Sequence, residues 1–119
     1  MGGLGAMYFA LKYPEMFCSL FSQAGTAHKA PYASDAFGLL DRNLEKIKGK
    51  LRIQIFCGTQ DEGHIPSLRE FHQALIQHGV DHTYLEIESL AHDLPAMINR
   101  YREIWFDYHV ESLRRFDGK

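Results

Sequence analysis

Residues 51–63 read Leu-Arg-Ile-Gln-Ile-Phe-Cys-Gly-Thr-Gln-Asp-Glu-Gly. Apolar and polar residues alternate from Leu51 to Phe56, which is typical of a strand, and Gly58 then marks a turn. A carboxylate, that of Asp61, follows directly after this turn. In open parallel sheets, functional groups collect in the loops at the carboxyl ends of the strands. This stretch therefore predicts a strand followed by a loop in which chemistry can be placed.

On both sides of this stretch, helical patterns alternate with strand patterns. The predicted helices cover Gly2–Tyr13, Asp35–Lys48, Pro66–His78 and a long segment capped by Asp93. The predicted strands cover Met16–Ser22, Leu51–Phe56 and His82–Ile87. Strands that alternate with helices form right-handed βαβ units around a parallel sheet. We therefore predict an α/β fold with a parallel sheet of about three strands flanked by helices.

The last predicted helix carries an apolar stripe at helical spacing that includes Met97, Tyr101, Trp105 and Tyr108. This stripe is predicted to pack in the core. The sequence contains no repeat, linker or low-complexity segment, so residues 1–119 are predicted to form a single domain or part of one.

The composition excludes several classes of protein. Hydrophobic residues make up 45% of the chain, the formal net charge is −2, and no run of basic residues suggests a nucleic-acid partner. No stretch approaches the roughly 20 apolar residues of a membrane span, and no secretory signal is visible. Cys18 and Cys57 lie in apolar segments and are predicted to be buried free thiols on neighbouring strands. We expect a reducing, cytoplasmic compartment.

A histidine follows the last predicted strand, in the segment Glu-Ser-Leu-Ala-His92-Asp93. Asp61 and His92 are thus placed on loops at the ends of adjacent strands, where the two side chains could meet. A carboxylate there would fix the tautomer of the imidazole, and the imidazole would accept a proton from a nucleophile. Spacing alone is a weak signal and favours a solvated aspartate and a surface histidine over a catalytic pair, and both interpretations stay open at this point.

Two other ligand classes are disfavoured by the sequence. The segment Gly3-Leu-Gly5 lacks the preceding strand and the third glycine of a dinucleotide-binding loop. His78 and His82 are close in sequence, but Gly79 ends the helix between them, so they do not share a helix face as metal ligands would. We expect the seven histidines to be surface residues, and we predict no metal and no cofactor.

Three serines are candidate nucleophiles. Ser19 and Ser22 lie within a predicted strand, and Ser89 lies in the loop that carries the histidine. None of them has the glycine pattern of a nucleophile elbow, so we interpret all three as structural hydroxyls.

The first residues, Met-Gly-Gly-Leu-Gly-Ala6, match the second half of the elbow motif Gly-x-Ser-Met-Gly-Gly. Three further segments follow in order, and they are Ala10-Leu-Lys-Tyr-Pro-Glu-Met-Phe17, Gly58-Thr-Gln-Asp61 and Ala91-His-Asp93. With these motifs, spread over nearly the whole chain, the sequence resembles the "Putative esterase" family of α/β-hydrolases. That family includes S-formylglutathione hydrolases, enterochelin esterases, feruloyl esterases and mycolyltransferases. The resemblance implies the C-terminal half of an α/β-hydrolase fold.

The resemblance also implies roles for individual residues. Asp61 matches the acid of a catalytic triad, His92 matches the general base, and Met1 matches the residue whose backbone N–H contributes to the oxyanion hole. The matching serine would lie one position before Met1. The implied activity is hydrolysis of a small-molecule ester by a serine carboxylesterase, of which this chain holds the acid and the base but not the nucleophile.

A non-catalytic module is the alternative. In the fold that the resemblance implies, the strand that carries the nucleophile borders the strand predicted at Met16–Ser22. Without it, an apolar edge of the sheet would be unpaired, and such edges seek partners. This hypothesis predicts a homodimer or a complex with a complementing N-terminal half.

Overall fold

The computed structural model describes residues 2–117, which form a parallel three-stranded sheet with helices on both faces. The helices are α1 (Gly2–Lys12), α2 (Ala36–Arg42), α3 (Leu44–Ile47), α4 (Ile65–Gln77) and α5 (Leu94–Asp117), with a 3-10 turn at Pro14–Met16. The strands are β1 (Ser19–Gln23), β2 (Arg52–Gly58) and β3 (His82–Ile87), in the spatial order β1-β2-β3. The predicted α/β fold with a parallel sheet is confirmed.

The strand register aligns the carboxyl ends of the sheet. Gln23 at the end of β1 is the partner of Phe56 in β2, and Gly58 at the end of β2 is the partner of Ile87 at the end of β3. The loops that follow β2 and β3 therefore leave the sheet side by side, at the edge where the sequence places Asp61 and His92.

Each face of the sheet is buried in its own hydrophobic core. The first core lies between the sheet and α1 to α4, and its strand residues include Leu20, Ile53 and Ile55. Its fully buried helical side chains include Met7, Leu11, Leu40, Ile47, Leu68, Phe71 and Leu75. The second core lies between the opposite face and α5, and its buried residues are Phe21, Ala24, Phe56, Ile87, Met97 and Tyr108. Neighbouring residues of a strand enter different cores because side chains alternate between the two faces.

The first strand begins later than predicted. It starts at Ser19, whereas the apolar run starts at Met16, and Met16 is 70% exposed in the turn that Pro14 initiates. Cys57 is buried in β2, but Cys18 precedes β1 and is only half-buried. The prediction of two buried thiols is therefore correct for Cys57 and wrong for Cys18, although both thiols are free.

The helix predicted over residues 35–48 is divided into α2 and α3 at Asn43. The Asn43 amide donates to the backbone oxygen of Leu11 at 2.8 Å, which ties this break to the end of α1. Asp35 caps α2 by accepting a hydrogen bond from the Gly38 N–H at 3.0 Å. The remaining boundaries lie within two residues of the predictions.

Only part of the apolar stripe of α5 is buried. Met97 and Tyr108 lie in the second core and Tyr101 packs against it, but Trp105 is 39% exposed and Ile104 is 51% exposed. The prediction that the whole stripe lies in the core is wrong, because the sheet contacts only the row of residues that faces it. No helix within residues 2–117 combines the length and the apolar character needed to cross a bilayer.

Candidate active site

The loops after β2 and β3 are joined by hydrogen bonds. The Thr59 N–H donates to the Ile87 oxygen at 3.0 Å, and the Gln60 N–H donates to the Leu90 oxygen at 2.9 Å. The Ser89 N–H donates to the Thr59 hydroxyl at 3.3 Å. These bonds continue the pairing of β2 with β3 beyond the strands, so the two loops are held as one unit.

Gly58 allows the two loops to approach each other this closely. A Cβ at this position would lie 2.1 Å from the Leu90 oxygen and 2.9 Å from the Ala91 oxygen. Any other residue would have to push the second loop away from the end of β2, because real Cβ atoms do not approach oxygen at 2.1 Å. The histidine loop therefore lies directly over the end of β2, and a glycine is required there.

Asp61 lies in the turn that opens α4. Its N–H donates to the Gly58 oxygen at 3.1 Å, and its own oxygen accepts from the Ile65 N–H at 2.9 Å. Ile65 and Leu68, in the first turn of α4, are buried in the first core and anchor this turn. The side chain of Asp61 is itself buried, with 4% of its surface exposed. The turn that opens α4 thus holds the Asp61 carboxylate in a fixed position.

His92 meets this carboxylate from the second loop. Its Nδ1 donates to Asp61 Oδ2 at 2.7 Å, while 48% of the His92 side chain remains exposed. Since an ionised carboxylate can only accept, the proton of the neutral ring lies on Nδ1 and Nε2 holds a lone pair. Asp93 caps α5 as predicted, because its Oδ1 accepts from the Ala96 N–H at 3.0 Å. The cap fixes the loop immediately after the histidine.

A second histidine, His64, contacts the same carboxylate. Its Nδ1 donates to Asp61 Oδ1 at 2.6 Å, and its ring stacks on that of His92 with centroids 4.5 Å apart and 25° between the planes. The sequence analysis missed His64. The spacing Asp61-x-x-His64, just before the proline at the start of a helix, is the signal that could have found it, because side chains at i and i+3 in a helical turn are neighbours.

The two imidazoles determine the ionisation of Asp61. Burial by itself raises the pKa of the Asp61 carboxyl, but the hydrogen bonds from His64 and His92 outweigh burial and lower this pKa below its ordinary value. Asp61 is therefore ionised at neutral pH. It can orient an imidazole and stabilise the imidazolium that forms when this imidazole takes up a proton.

The oxygen of Asp61 and the nitrogens of the two histidines also lie within 4.8 Å of one another, close enough to share a metal ion.

Met1, the predicted oxyanion residue, lies outside the described residues. Helix α1 begins next to it, and a Cβ on Gly3 would lie 2.5 Å from the Cα of Gly25, at the end of β1. This close approach is the packing that the small residues of an elbow allow.

Within residues 2–117, Ser19, Ser22 and Ser89 form no hydrogen bond to the His92 ring. Ser19 shares a hydrogen bond with His109 at 2.9 Å, and the Ser22 hydroxyl is buried without a partner among the described residues. Within residues 2–117, the recorded hydrogen bond of the His92 ring is the one to Asp61.

The histidines that were weighed as a metal pair do not share a site. His78 bonds to Asp41 and to the Ala74 oxygen, whereas His82 bonds to His72 and to the Val80 oxygen. His64 is partly exposed, with 36% of its side chain in solvent, but it also contacts the Asp61 carboxylate, which the sequence analysis did not predict.

Comparison with known proteins adds a family to this geometry. The profile of the family described as "Putative esterase" matches residues 1–100. No curated protein matches the chain. Three solved structures share its fold. An S-formylglutathione hydrolase from Agrobacterium tumefaciens is 24% identical with a TM-score of 0.70, and 94% of this chain is covered. An S-formylglutathione hydrolase (FrmB) from Staphylococcus aureus is 21% identical with a TM-score of 0.70, and 87% of this chain is covered.

The third structure is FphF, a fluorophosphonate-binding serine hydrolase from Staphylococcus aureus. It is 19% identical with a TM-score of 0.67, and 77% of this chain is covered. The matched region is 46% of each S-formylglutathione hydrolase and 44% of FphF. The chain therefore spans about half the length of the solved structures that it matches, and these neighbours are α/β-hydrolases.

Proposed function

Because the chain belongs to the "Putative esterase" family, we propose that Asp61 and His92 are the acid and the general base of a carboxylic ester hydrolase with a serine nucleophile. The observation that carries this proposal is the 2.7 Å hydrogen bond from the half-exposed His92 ring to the buried Asp61 carboxylate. Orientation of the imidazole by a buried carboxylate is the support that a general base requires in a triad.

The chemistry follows from this arrangement. As the serine hydroxyl attacks the ester carbonyl, its proton passes to Nε2 of His92, and Asp61 stabilises the resulting imidazolium. The same proton then goes to the departing alcohol, which leaves an acyl-enzyme. A water molecule, deprotonated by His92 in the same way, attacks the acyl group and releases the carboxylic acid and the free serine. No step requires a cofactor or a metal.

The position of the serine is part of the proposal. By the family motif it precedes Met1, and the N–H of Met1 contributes to the oxyanion hole. The contact of Gly3 with Gly25 supports this placement, because it packs the start of α1 against the end of β1 as an elbow requires. The catalytic unit then consists of this chain together with an upstream half that supplies the serine strand.

Substitution of His92 tests the proposal. We join the chain to the upstream half of a family member with its serine and measure hydrolysis of short-chain p-nitrophenyl esters. His92→Ala is expected to lower kcat by about 10⁴-fold or more, because members of a triad act as a unit. Asp61→Asn is expected to lower kcat by about 10⁴-fold, because the amide stabilises the wrong tautomer of the imidazole.

The matched control is His78→Ala, which removes a histidine of α4's C-terminal end that does not contact Asp61. This variant should retain the rate of the parent protein. Full activity of His92→Ala would show that our assignment of the base is incorrect. A thioester of a small acyl group belongs in the substrate panel, since two structural neighbours are S-formylglutathione hydrolases.

A second proposal concerns partners. Within residues 2–117, β1 pairs with β2 on one side only, and the apolar side chains of Met16 and Phe17, just before β1, are 70% and 42% exposed. We propose that a complementing N-terminal half covers this edge, or a second copy of the chain when that half is absent. Sedimentation of the 119-residue chain at high micromolar concentration should show a dimer or larger species, and a stable monomer would refute this proposal.

We also propose that the protein works in the cytoplasm, where a reducing environment keeps Cys18 and Cys57 as thiols. Fractionation of cells that express a tagged protein would check this, and recovery only outside the cytoplasm would contradict it.

A further inference from the structure

We propose that Asp61, His64 and His92 form a binding site for a divalent transition-metal ion such as Zn²⁺, and that this ion inhibits the hydrolase by occupying its general base. Metal binding is an independent property of the three side chains. The inhibition rests on the function proposed above.

The three donors already converge without a metal. The two oxygens of Asp61 each face one imidazole nitrogen, at 2.6 Å for His64 and at 2.7 Å for His92. Stacking of the two rings, with 25° between their planes, directs both Nδ1 atoms toward the same carboxylate. All three donor atoms lie within 4.8 Å of one another.

A small adjustment converts this hydrogen-bonded cluster into a coordination sphere. Bonds of about 2.0–2.1 Å from zinc to nitrogen and oxygen place neighbouring donors about 3.3–3.4 Å apart in a tetrahedron. The hydrogen-bonded pairs at 2.6 and 2.7 Å therefore have to open by about 0.6–0.8 Å. Donor atoms that lie as much as 4.8 Å apart have to close by up to about 1.4 Å, and side-chain rotation supplies both movements.

Metal binding also requires that the proton of each imidazole leave Nδ1. In each neutral ring, the proton on Nδ1 moves through solvent to Nε2, and Nδ1 then offers its lone pair to the metal. Neither ring changes its charge. Each oxygen of Asp61 accepts a hydrogen bond from one imidazole, as a carboxylate does, and the negative charge of the carboxylate partly neutralises the dication.

The site combines a rigid anchor with an open entrance. Asp61 is fixed by the turn that begins α4, and the hydrogen bonds between the two loops hold His92 nearby. The His64 and His92 side chains remain 36% and 48% exposed, so an ion can enter from solvent and keep water in its fourth position. Two imidazoles and a carboxylate suit zinc and similar ions better than magnesium or calcium.

The other pair of histidines provides a contrast. His72 Nδ1 and His82 Nε2 are 2.7 Å apart, but no third ligand completes a group of three there within residues 2–117. The carboxylate of Glu86, on the same strand as His82, already accepts hydrogen bonds from Arg69 and Tyr84. This pair therefore serves as the control for metal binding by any two neighbouring histidines.

Coordination would stop the proposed reaction. With Nδ1 of His92 on the metal, the hydrogen bond to Asp61 is lost, and the ring proton lies on Nε2. The ring then has no lone pair to accept the proton of a nucleophile, so the ester hydrolase is inactive while the ion is bound.

Calorimetric titration of the purified protein with Zn²⁺ tests the binding. The parent protein should bind one ion at this site. His64→Ala should weaken the binding by at least about 10-fold, since loss even of an outer-shell partner typically costs 10–100-fold. His64→Gln, whose amide can still donate to Asp61, should show the same weakening. His82→Ala should bind as the parent does, and circular dichroism verifies that each variant is folded.

Absence of Zn²⁺ binding in the parent, or unchanged binding in the folded His64→Gln variant, would overturn the proposed site. Loss of binding in His82→Ala would also overturn it, because the ion would then lie at the other histidine pair.

In the hydrolase assay, the Zn²⁺ concentration for half-inhibition should rise at least about 10-fold in His64→Gln, relative to that variant's own metal-free rate. An equal half-inhibition concentration in parent and variant would overturn the inhibitory role. If the parent hydrolyses no ester, the proposed function fails, whereas the calorimetric result still decides whether the metal site exists.

Discussion

The two faces of the sheet are packed very differently. The first core draws its buried side chains from α1, α2, α3 and α4, whereas the second core has α5 as its only covering helix in the described part of the chain. Phe71 and Leu75 are completely buried in the first core. On α5, Ile104, Trp105 and Phe106 are 51%, 39% and 61% exposed. Because burial of a large apolar side chain contributes about 1.5–3 kcal/mol, most of the stability of this unit comes from the first core.

The candidate active site joins these two regions. Asp61 begins the turn into α4 and is therefore anchored in the first core, whereas His92 leads through the Asp93 cap into α5 and the second core. The position of His92, the proposed base, thus depends on the less extensively packed face. The sparser packing of α5 is offset by two features of the loops. The hydrogen bonds between the loops and the close contact at Gly58 hold His92 directly at the end of β2.

Removal of a large side chain should lower the free energy of unfolding more in the first core than in the second core. Phe71→Ala is expected to lower the free energy of unfolding by about 3–5 kcal/mol, because it leaves a cavity beside Phe37 of α2 in a completely buried position. Met97→Ala, from the second core, should cost only about 2 kcal/mol, because α5 is open to solvent on its other side and can shift inward. Urea unfolding followed by circular dichroism measures both values. An equal loss in the two variants would mean that the two cores are packed alike.

Gly58→Ala should push the loop that carries His92 away from the end of β2, where the two regions are joined. The added Cβ would lie 2.1 Å from the Leu90 oxygen, so the histidine loop must move by about 1 Å. We expect kcat of the complemented hydrolase to fall by about 100-fold, with a loss of stability of about 1–3 kcal/mol. Gly63→Ala is the matched control, because nothing lies within 4 Å of a Cβ in that position of the same loop. Similar rates for the two variants would show that the close approach at Gly58 is not needed.

The sequence was sufficient to predict the parts of the site that depend on local pattern. Strand alternation and turn residues placed Asp61 and His92 at adjacent strand ends, and the parallel register then brought them into contact. Gly58 was recognised only as a turn residue, because its role depends on the Leu90 oxygen, which lies more than 30 residues later in the sequence.

Other features depend on tertiary structure that periodicity does not describe. His64 was missed because the turn after β2 becomes helical and folds this ring back onto Asp61. Helical spacing showed which side chains of α5 share a face, but not how much of that face the sheet would cover, and Trp105 was therefore wrongly assigned to the core. Met16 was assigned to a strand because it is apolar, yet the turn at Pro14 leaves it in solvent.

The smallest effect is expected at Glu86, which fastens β3 to α4 at the edge of the first core. The hydrogen bonds from Arg69, at 2.9 and 2.8 Å, lower the pKa of the Glu86 carboxyl to about 2; burial opposes this shift and the Tyr84 hydroxyl supports it. Because the pKa is lower in the folded protein, the stabilisation is fully present above the ordinary pKa of 4.5 and is lost as the pH falls toward about 2.

Glu86→Gln should therefore be less stable than the parent by about 1 kcal/mol or less at pH 7, since the Arg69 partner is exposed. This difference should shrink as the pH falls from about 5 to about 2, because the carboxyl of the unfolded parent becomes protonated before that of the folded parent. Urea unfolding of both proteins at several pH values measures the trend, with Glu88→Gln as the control on an exposed glutamate just beyond β3. A difference that stays constant with pH would show that Arg69 and Glu86 do not act as an ion pair in solution, and that the first core holds β3 by apolar packing alone.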